Sequence, residues 1–384
     1  MKERQIPTKI RILHCADIHL DSAFSKASLM RGEERRAELR AVFSDLMKYV
    51  KSGNIDILLI AGDLFDSEYA TSETLSLLQR ELSACRIPVF ISPGNHDFYS
   101  ENSIYACGKF PSNVYIFKSE ELTCVNIEEL NTSVYGWAFR DIFYRNSPIA
   151  GKKVSDSSKL NLICGHADLY SPLSEQCPVT KSDIEGFGAD YAAFGHIHVK
   201  PEQKIAGKTS YAYSGCLEGR SFDECGIGGA WLIEAEKTEN GYSVSTKRLN
   251  FGRSRFEILN LDITGESEIS RIQSKVSDEI KKLGYGSGVS LRVVLTGSVP
   301  LSLSLHGIDE DRLGLDYIEY KNETSPVYDA AYLEKDMTIK GELYRYLLPI
   351  LTDGTPDERA CAANALKIGL AALENREITK QMEI

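Results

Sequence analysis

A chain of 384 residues exceeds one ordinary domain and has room for two, and its 42% hydrophobic and 26% charged content is that of an ordinary soluble globular protein. No apolar run approaches the length of a membrane span, the start MKERQIPTKIRILHCAD lacks a signal-peptide cleavage signature, and the nine cysteines include no CxxC pair, which argues for reduced thiols in a cytoplasmic protein and against a zinc ribbon or disulfide framework. The net charge of −11 weighs against a basic nucleic-acid-binding domain, and the part from Arg253 onward, with 16 Lys/Arg against 22 Asp/Glu, is no exception.

From the N-terminus, short runs rich in Ile, Leu and Val each stop at polar residues. IRILHCADIHL (10–20) ends on Asp17 and His19, IDILLIAGDLFD (55–66) on Asp63 and Asp66, and IPVFISPGNHD (87–97) on Asn95, His96 and Asp97. Between them, EERRAELRAVFSDLMKYVKSG (33–53) repeats Leu39, Val42, Phe43, Leu46 and Val50 at a helical period. TSETLSLLQRELSAC (71–85) opens a second helix with Ser72 as its expected N-cap. LNLICGHADL (160–169) brings His166, and ADYAAFGHIH (189–198) brings His196 and His198. Strands alternating with helices predict an α/β fold with buried strands, and in such sheets chemistry gathers beyond the carboxyl ends of the strands. KTSYAYSG (208–215) and GGAWLIEAEK (228–237) read as antiparallel strands that close this domain near residue 252.

The texture then changes. A strand RFEILNLDITG (255–265), a helix over 267–284, strands at 289–297 and 315–322, and helices at 340–354 and 357–375 predict an α+β module followed by amphipathic helices.

Gathering the strand-end residues gives Asp17, His19, Asp63, Asn95, His166, His196 and His198. Four imidazoles, two carboxylates and an amide oxygen form a donor set that first-row divalent ions accept. On an extended segment His196 and His198 point to the same face. Two ions about 3.5–4 Å apart could share one carboxylate, and the absence of a thiolate disfavours a structural zinc site. Taken singly, each residue has a plainer reading: Asp17 and Asp63 as turn formers or helix caps, Asn95 as a turn residue. The joint occurrence of five such fragments in one order outweighs those readings.

That order, ADIH, GDLFD, GNHD, GH and GHIH, resembles the calcineurin-like metallophosphoesterase family over roughly residues 9–252. The resemblance implies a four-layer αββα sandwich over 1–252. It puts Asp17, His19, Asp63 and His198 on one metal ion and Asp63, Asn95, His166 and His196 on a second, with Asp63 bridging. It makes His96 a general acid or phosphate-orienting group whose ring tautomer Asp97 would fix. Asp66 and His14 are expected behind the ligands, His14 either as support or simply packed. His306 has no partner pattern and is assigned nothing.

The flanking pieces DSAF (21–24) and EGRSFDE (218–224) are similar to the DNA repair exonuclease branch of the family, of SbcD and YhaO type. That likeness implies a DNA phosphodiesterase, an exonuclease with single-strand endonuclease activity as an added expectation, in which a metal-bound hydroxide attacks phosphorus. Mn²⁺ is the first expected ion, with Mg²⁺, Fe²⁺ or Zn²⁺ as alternatives, and Arg220 is expected to contact substrate. The branch further implies a smaller α+β capping domain at 253–335, a C-terminal helical segment at 336–384 that docks a coiled-coil SMC-like ATPase, and a homodimer. Tyr213-Ser214-Gly215 departs from the frequent Tyr-Pro-Gly, and no Pro follows soon after His198; neither departure touches an expected ligand. The rival reading is a metallophosphatase or phosphodiesterase for a small molecule or phosphoprotein, which the acidic charge favours. A catalytically silent scaffold would lack ligands, and here none is missing.

Overall fold

The computed structural model of the protein describes residues 7–24, 29–67, 70–199, 201–300, 303, 305 and 313–373. His306 and the end of the last predicted helix, residues 374–375, lie outside them. The chain divides into two compact units, Met1–Arg255 and Phe256–Ile384.

The first unit runs β1 (Lys9–Cys15), α1 (Leu29–Ser52), β2 (Ile57–Ile60), α2 (Ser72–Ala84), β3 (Val89–Ile91), α3 (Ile104–Cys107), β4 (Val114–Ile116), β5 (Thr123–Ile127), β6 (Thr132–Gly136), β7 (Leu160–His166), α4 (Lys181–Phe187), β8 (Tyr191–Gly195), β9 (Gln203–Ala206), β10 (Thr209–Tyr213), β11 (Gly229–Thr238) and β12 (Gly241–Asn250). One six-stranded sheet has the order β12-β11-β1-β2-β3-β4 and the other β5-β6-β7-β8-β10-β9. Neighbours from β1 to β4 are parallel, as are β6, β7, β8 and β10.

Strand alternation distributes the apolar side chains to two faces. Leu13, Cys15, Leu58, Ile60, Val89 and Ile91 join Leu39, Val42, Phe43 and Leu46 of α1 and Leu77, Leu78 and Leu82 of α2 in one core. Ile10, Ile12, Ile57, Leu59 and Phe90 turn the other way and meet Leu160, Leu162, Cys164, Tyr191 and Ala193 of the second sheet. Beyond that sheet Ile163, Ala192 and Phe194 pack with Ile184 and Phe187 of α4. The result is the αββα layering, held by side chains that each contribute roughly 1.5–3 kcal/mol on burial. Thr71, not Ser72, caps α2: its backbone is extended and its hydroxyl accepts the Thr74 N–H.

The second unit contains β13 (Arg255–Asp262), α5 (Ile269–Leu283), β14 (Val289–Thr296), β15 (Ser298–Pro300), β16 (Tyr317–Asn322), β17 (Ser325–Val327), α6 (Ala330–Lys335), α7 (Ile339–Asp353) and α8 (Pro356–Leu373). Ile272, Val276 and Ile280 of α5 pack with Leu291, Val293 and Leu295 of the three-stranded sheet β13-β14-β16. Helices α6 to α8 bury a separate cluster of Leu333, Tyr344, Leu347, Leu366 and Leu370. On α7 Tyr344 is buried, whereas Tyr346 is 77% exposed. Among the described residues no helix is long and apolar enough to cross a membrane.

Candidate metal centre

The strand-end residues converge because the strands that carry them are parallel within each sheet and end on the same side. Asp17 and His19 follow β1, Asp63 follows β2, Asn95 to Asp97 follow β3, His166 ends β7, and His196 and His198 follow β8. Four of these residues have left-handed backbones: Asp17 (φ 51°), His19 (47°), Asp63 (50°) and His196 (106°). Such conformations cost about 1–3 kcal/mol each and persist only where the surroundings enforce them. Here hydrogen bonds do so: Asp17 N–H donates to Gly62 O (3.0 Å), His19 N–H to Asp63 O (3.0 Å) and His196 N–H to Asp17 Oδ1 (2.9 Å). The turns also require glycine. A Cβ on Gly62, itself at φ 95°, would overlap the His166 ring, and one on Gly94 would overlap the Asp63 carboxylate.

The hydrogen bonds behind the rings fix which nitrogens face inward. His19 Nδ1 meets Asp66 Oδ1 at 3.0 Å and His198 Nδ1 meets Glu224 Oε1 at 2.8 Å. Burial pushes both carboxyls up, but for Asp66 the bond and charge of His19, and for Glu224 the bonds to His198 and Arg220, outweigh it and hold both below the usual range. Ionised carboxylates only accept, so each ring donates from Nδ1 and presents Nε2 to the centre. The two Nε2 atoms lie 3.1 Å apart. Burial pushes the His19 pKa down. For His198 burial acts the same way, but Glu224 and Asp17 raise its pKa overall. Two lone pairs at this distance repel unless a positive charge lies between them, and either a proton on His198 or a metal ion meets that need.

A second electron-rich set adjoins it. His166 donates from Nδ1 to Ala61 O (3.0 Å), leaving Nε2 facing Asn95 Oδ1 at 3.0 Å and Asp63 Oδ2 at 3.4 Å. Burial holds His166 neutral, with a pKa of about 3. The His196 ring stands edge-on to His166 with centroids 5.3 Å apart. Asp17 Oδ2 is buried without a hydrogen-bond partner, and burial together with the charge of Asp63 raises the Asp17 pKa to about 7. An orphaned carboxylate oxygen beside bare imidazole nitrogens is what a cation would satisfy, reversing that shift. Asp17, His19, Asp63 and His198 each offer an atom within 4.8 Å of the others. The cluster therefore has the donors, burial and geometry to hold a metal ion.

Around this core the structure revises several expectations. His96 is exposed, its ring centroid 4.9 Å from that of His19, with Nδ1 3.4 Å from Asp66 O. Asp97 does not touch the His96 ring: its carboxylate accepts Gly94 N–H (2.7 Å), Phe65 N–H (3.1 Å) and Tyr105 Oη–H (2.5 Å), so it clamps the loop instead. Burial, then the charge of Asp63, lifts its pKa to about 6. His14 lies between the sheets, with both ring nitrogens taken by Tyr191 Oη (3.0 Å) and Phe194 O (3.1 Å), and supports no candidate ligand through a hydrogen bond. Asp66 stands behind His19, its Oδ1 accepting the Nδ1 hydrogen. Arg220 points inward, and its guanidinium donors go to Asp66, Glu224 and Ser22 rather than outward to a substrate. Glu224 is the residue sequence reasoning passed over; its signal was an acid four residues after Arg220 in EGRSFDE.

Residues 10–200 match the calcineurin-like phosphoesterase family. The chain is 27% identical over 308 residues to "Uncharacterized metallophosphoesterase YhaO" of Bacillus subtilis, covering 76% of this chain and 73% of that protein. It is 24% identical over 232 residues to "DNA double-strand break repair protein Mre11" of Methanopyrus kandleri, covering 56% of this chain and 50% of the relative. It is 22% identical over 245 residues to the SbcD component of the nuclease SbcCD of Staphylococcus epidermidis, covering 56% of this chain and 63% of the relative. The chain thus spans about half to two thirds of these last two proteins. With the Asp/His cluster seated on the strand ends of the matched segment, the chain carries a calcineurin-like metallophosphoesterase domain and belongs to that family.

Proposed function

We propose that the protein is a two-metal phosphodiesterase that cuts DNA. The observation that carries the reading is the pair of electron-rich pockets on either side of Asp63, with Nε2 of His19 and His198 in one and Nε2 of His166 and Asn95 Oδ1 in the other. Asp17, His19, Asp63 and His198 would hold one ion, and Asp63, Asn95, His166 and His196 the other. Mn²⁺ is the first candidate, with Mg²⁺, Fe²⁺ or Zn²⁺ as alternatives. Bound there, divalent ions supply Lewis acidity and neutralise the charge of a phosphate ester. The protein orients the imidazoles through Asp66 and Glu224 and keeps Asp17 and Asp63 out of bulk water. His96, exposed beside His19, would give the proton on Nε2 to the departing sugar oxygen while Nδ1 stays on Asp66 O.

DNA as substrate is supported by the relatives named for DNA double-strand break repair and for nuclease activity and by the EGRSFDE segment. The net charge of −11 favours the second reading, a phosphatase or phosphodiesterase for a small molecule or phosphoprotein. Incubation with Mn²⁺ and end-labelled DNA beside a generic phosphomonoester decides between them. Release of nucleotides with negligible free phosphate supports the nuclease, and the reverse result removes it.

As partners we propose, besides DNA, a second copy of the chain and a coiled-coil SMC-like ATPase on the C-terminal segment 336–384, which carries α7 and α8. Met337, Ile339 and Tyr346 leave large apolar side chains in solvent there, and helices docking on apolar surfaces are a common mode of recognition. Sedimentation tests the dimer. Co-purification with and without paired Ile339→Asp and Tyr346→Asp substitutions tests the docking.

A further inference from the structure

We infer that Arg220 sets the affinity of the candidate metal centre by locking the two carboxylates that orient His19 and His198. This rests on the metal-binding reading above. Arg220 Nη1 donates to Asp66 Oδ1 at 2.8 Å and to Ser22 Oγ at 3.1 Å. Nη2 and Nε donate to Glu224 Oε1 at 2.5 and 3.1 Å, and the Arg220 backbone N–H donates to Glu224 Oε2 at 2.8 Å. The same Asp66 Oδ1 accepts His19 Nδ1–H, and the same Glu224 Oε1 accepts His198 Nδ1–H. The contacts therefore close a ring, His19–Asp66–Arg220–Glu224–His198, whose ends meet again where the two Nε2 atoms face each other.

A closed ring has a mechanical consequence. Neither imidazole can rotate without breaking a carboxylate bond, and neither carboxylate can swing away without leaving the guanidinium. The planar guanidinium reaches the two carboxylates from different nitrogens held in a fixed geometry, whereas a lysine ammonium offers its donors from one nitrogen. The side chain is largely buried, 17% exposed, so its bonds are not lost to competing water. His166 supplies the contrast, since its Nδ1–H rests on the Ala61 carbonyl, outside this ring. Arg220 is thus a positioning residue: its bonds go to Asp66 and Glu224 rather than to either Nε2, and where Nη2 comes within 3.3 Å of the His198 ring it meets Nδ1, the nitrogen whose hydrogen goes to Glu224.

The test is calorimetric titration of chelator-stripped full-length protein with Mn²⁺, with visible absorption of the Co²⁺-loaded protein as a report on coordination geometry. Loss of a group that orients a ligand typically weakens metal binding about 10- to 100-fold. Arg220→Met is expected to weaken binding by that factor and to change the Co²⁺ spectrum while circular dichroism stays unchanged. Arg220→Lys is expected to recover little of the loss. Glu224→Gln keeps the size of the partner, is expected to weaken binding in the same way, and carries the test if Arg220→Met does not fold. If the natural protein takes up no metal, the metal-binding reading falls. If it binds Mn²⁺ and Arg220→Met or Glu224→Gln binds equally well, with the same Co²⁺ spectrum, this inference alone falls. Arg220→Lys matching the natural protein overturns the fork argument.

Discussion

His19 and His198 bring their Nε2 atoms to 3.1 Å from each other while the opposite nitrogen of each ring stays bonded to a carboxylate, Asp66 for one and Glu224 for the other. A pocket arranged this way is expected to gain stability from a divalent ion. At free Mn²⁺ one hundred times the dissociation constant, linkage adds about 2.7 kcal/mol, so thermal melting after EDTA treatment should shift upward on adding Mn²⁺. His196→Ala and His198→Ala should each lower bound manganese by about one equivalent and abolish turnover. Full metal content by elemental analysis in both variants would remove them from the ligand set.

His96 separates binding from chemistry. Its ring is exposed and lies edge-on to His19. His96→Ala is expected to keep the metal and to bind DNA, with activity lower by roughly 10²- to 10⁴-fold, the usual contribution of a general acid or base. Loss of metal in this variant would reassign His96 to the ligands.

Gly62 is where backbone geometry and the centre meet. Its φ is 95° and a Cβ there would overlap the His166 ring. Gly62→Ala is expected to displace His166, cost about 1–3 kcal/mol in strain, and lower metal content on that side of Asp63. Unchanged metal content and unchanged urea midpoint would show that the loop relaxes without cost.

The strand ends were legible because each run of Ile, Leu and Val stops at a polar residue, and β1, β2, β3, β7 and β8 all obey that rule. Pairing between the sheets was not legible in composition, and the αββα layering came only as an implication of the family that the motif order resembles. What lay beyond reach was everything set by loop geometry. Glu224 and Arg220 sit in a segment outside helix and strand, so no periodicity marks their facing His198 and Asp66. Asp97 adjoins His96 in sequence, yet the tight turn sends its carboxylate back to the N–H groups of Gly94 and Phe65. The α4 helix, only Lys181–Phe187, is too short for a periodic signal and depends on the capping box between Thr180 and Asp183.

His14 yields a pH prediction away from the centre. It is fully buried, donates from Nε2 to Phe194 O, and accepts the Tyr191 hydroxyl at Nδ1. Burial pushes its pKa down from the ordinary 6.5 to about 3. Between those values the unfolded chain carries a proton that the folded chain refuses, so the unfolded state binds more protons. His14's contribution to stability is therefore full above pH 6.5 and is lost as pH falls toward 3, by an amount of order a few kcal/mol. His14→Gln offers an amide N–H to Phe194 O and an amide oxygen to Tyr191 without titrating in this range. Its stability at pH 8 is expected to fall by about 1–2 kcal/mol through imperfect packing, but its further loss between pH 7.5 and 4.5 should be smaller than that of the natural protein. Urea unfolding of both proteins in EDTA, followed by circular dichroism at the two pH values, measures the difference. His166, also held neutral by burial, and Asp17, shifted the other way, are common to both proteins and cancel in the comparison. Equal pH dependence in the two would show that His14 is not a buried neutral tie between β1 and β8.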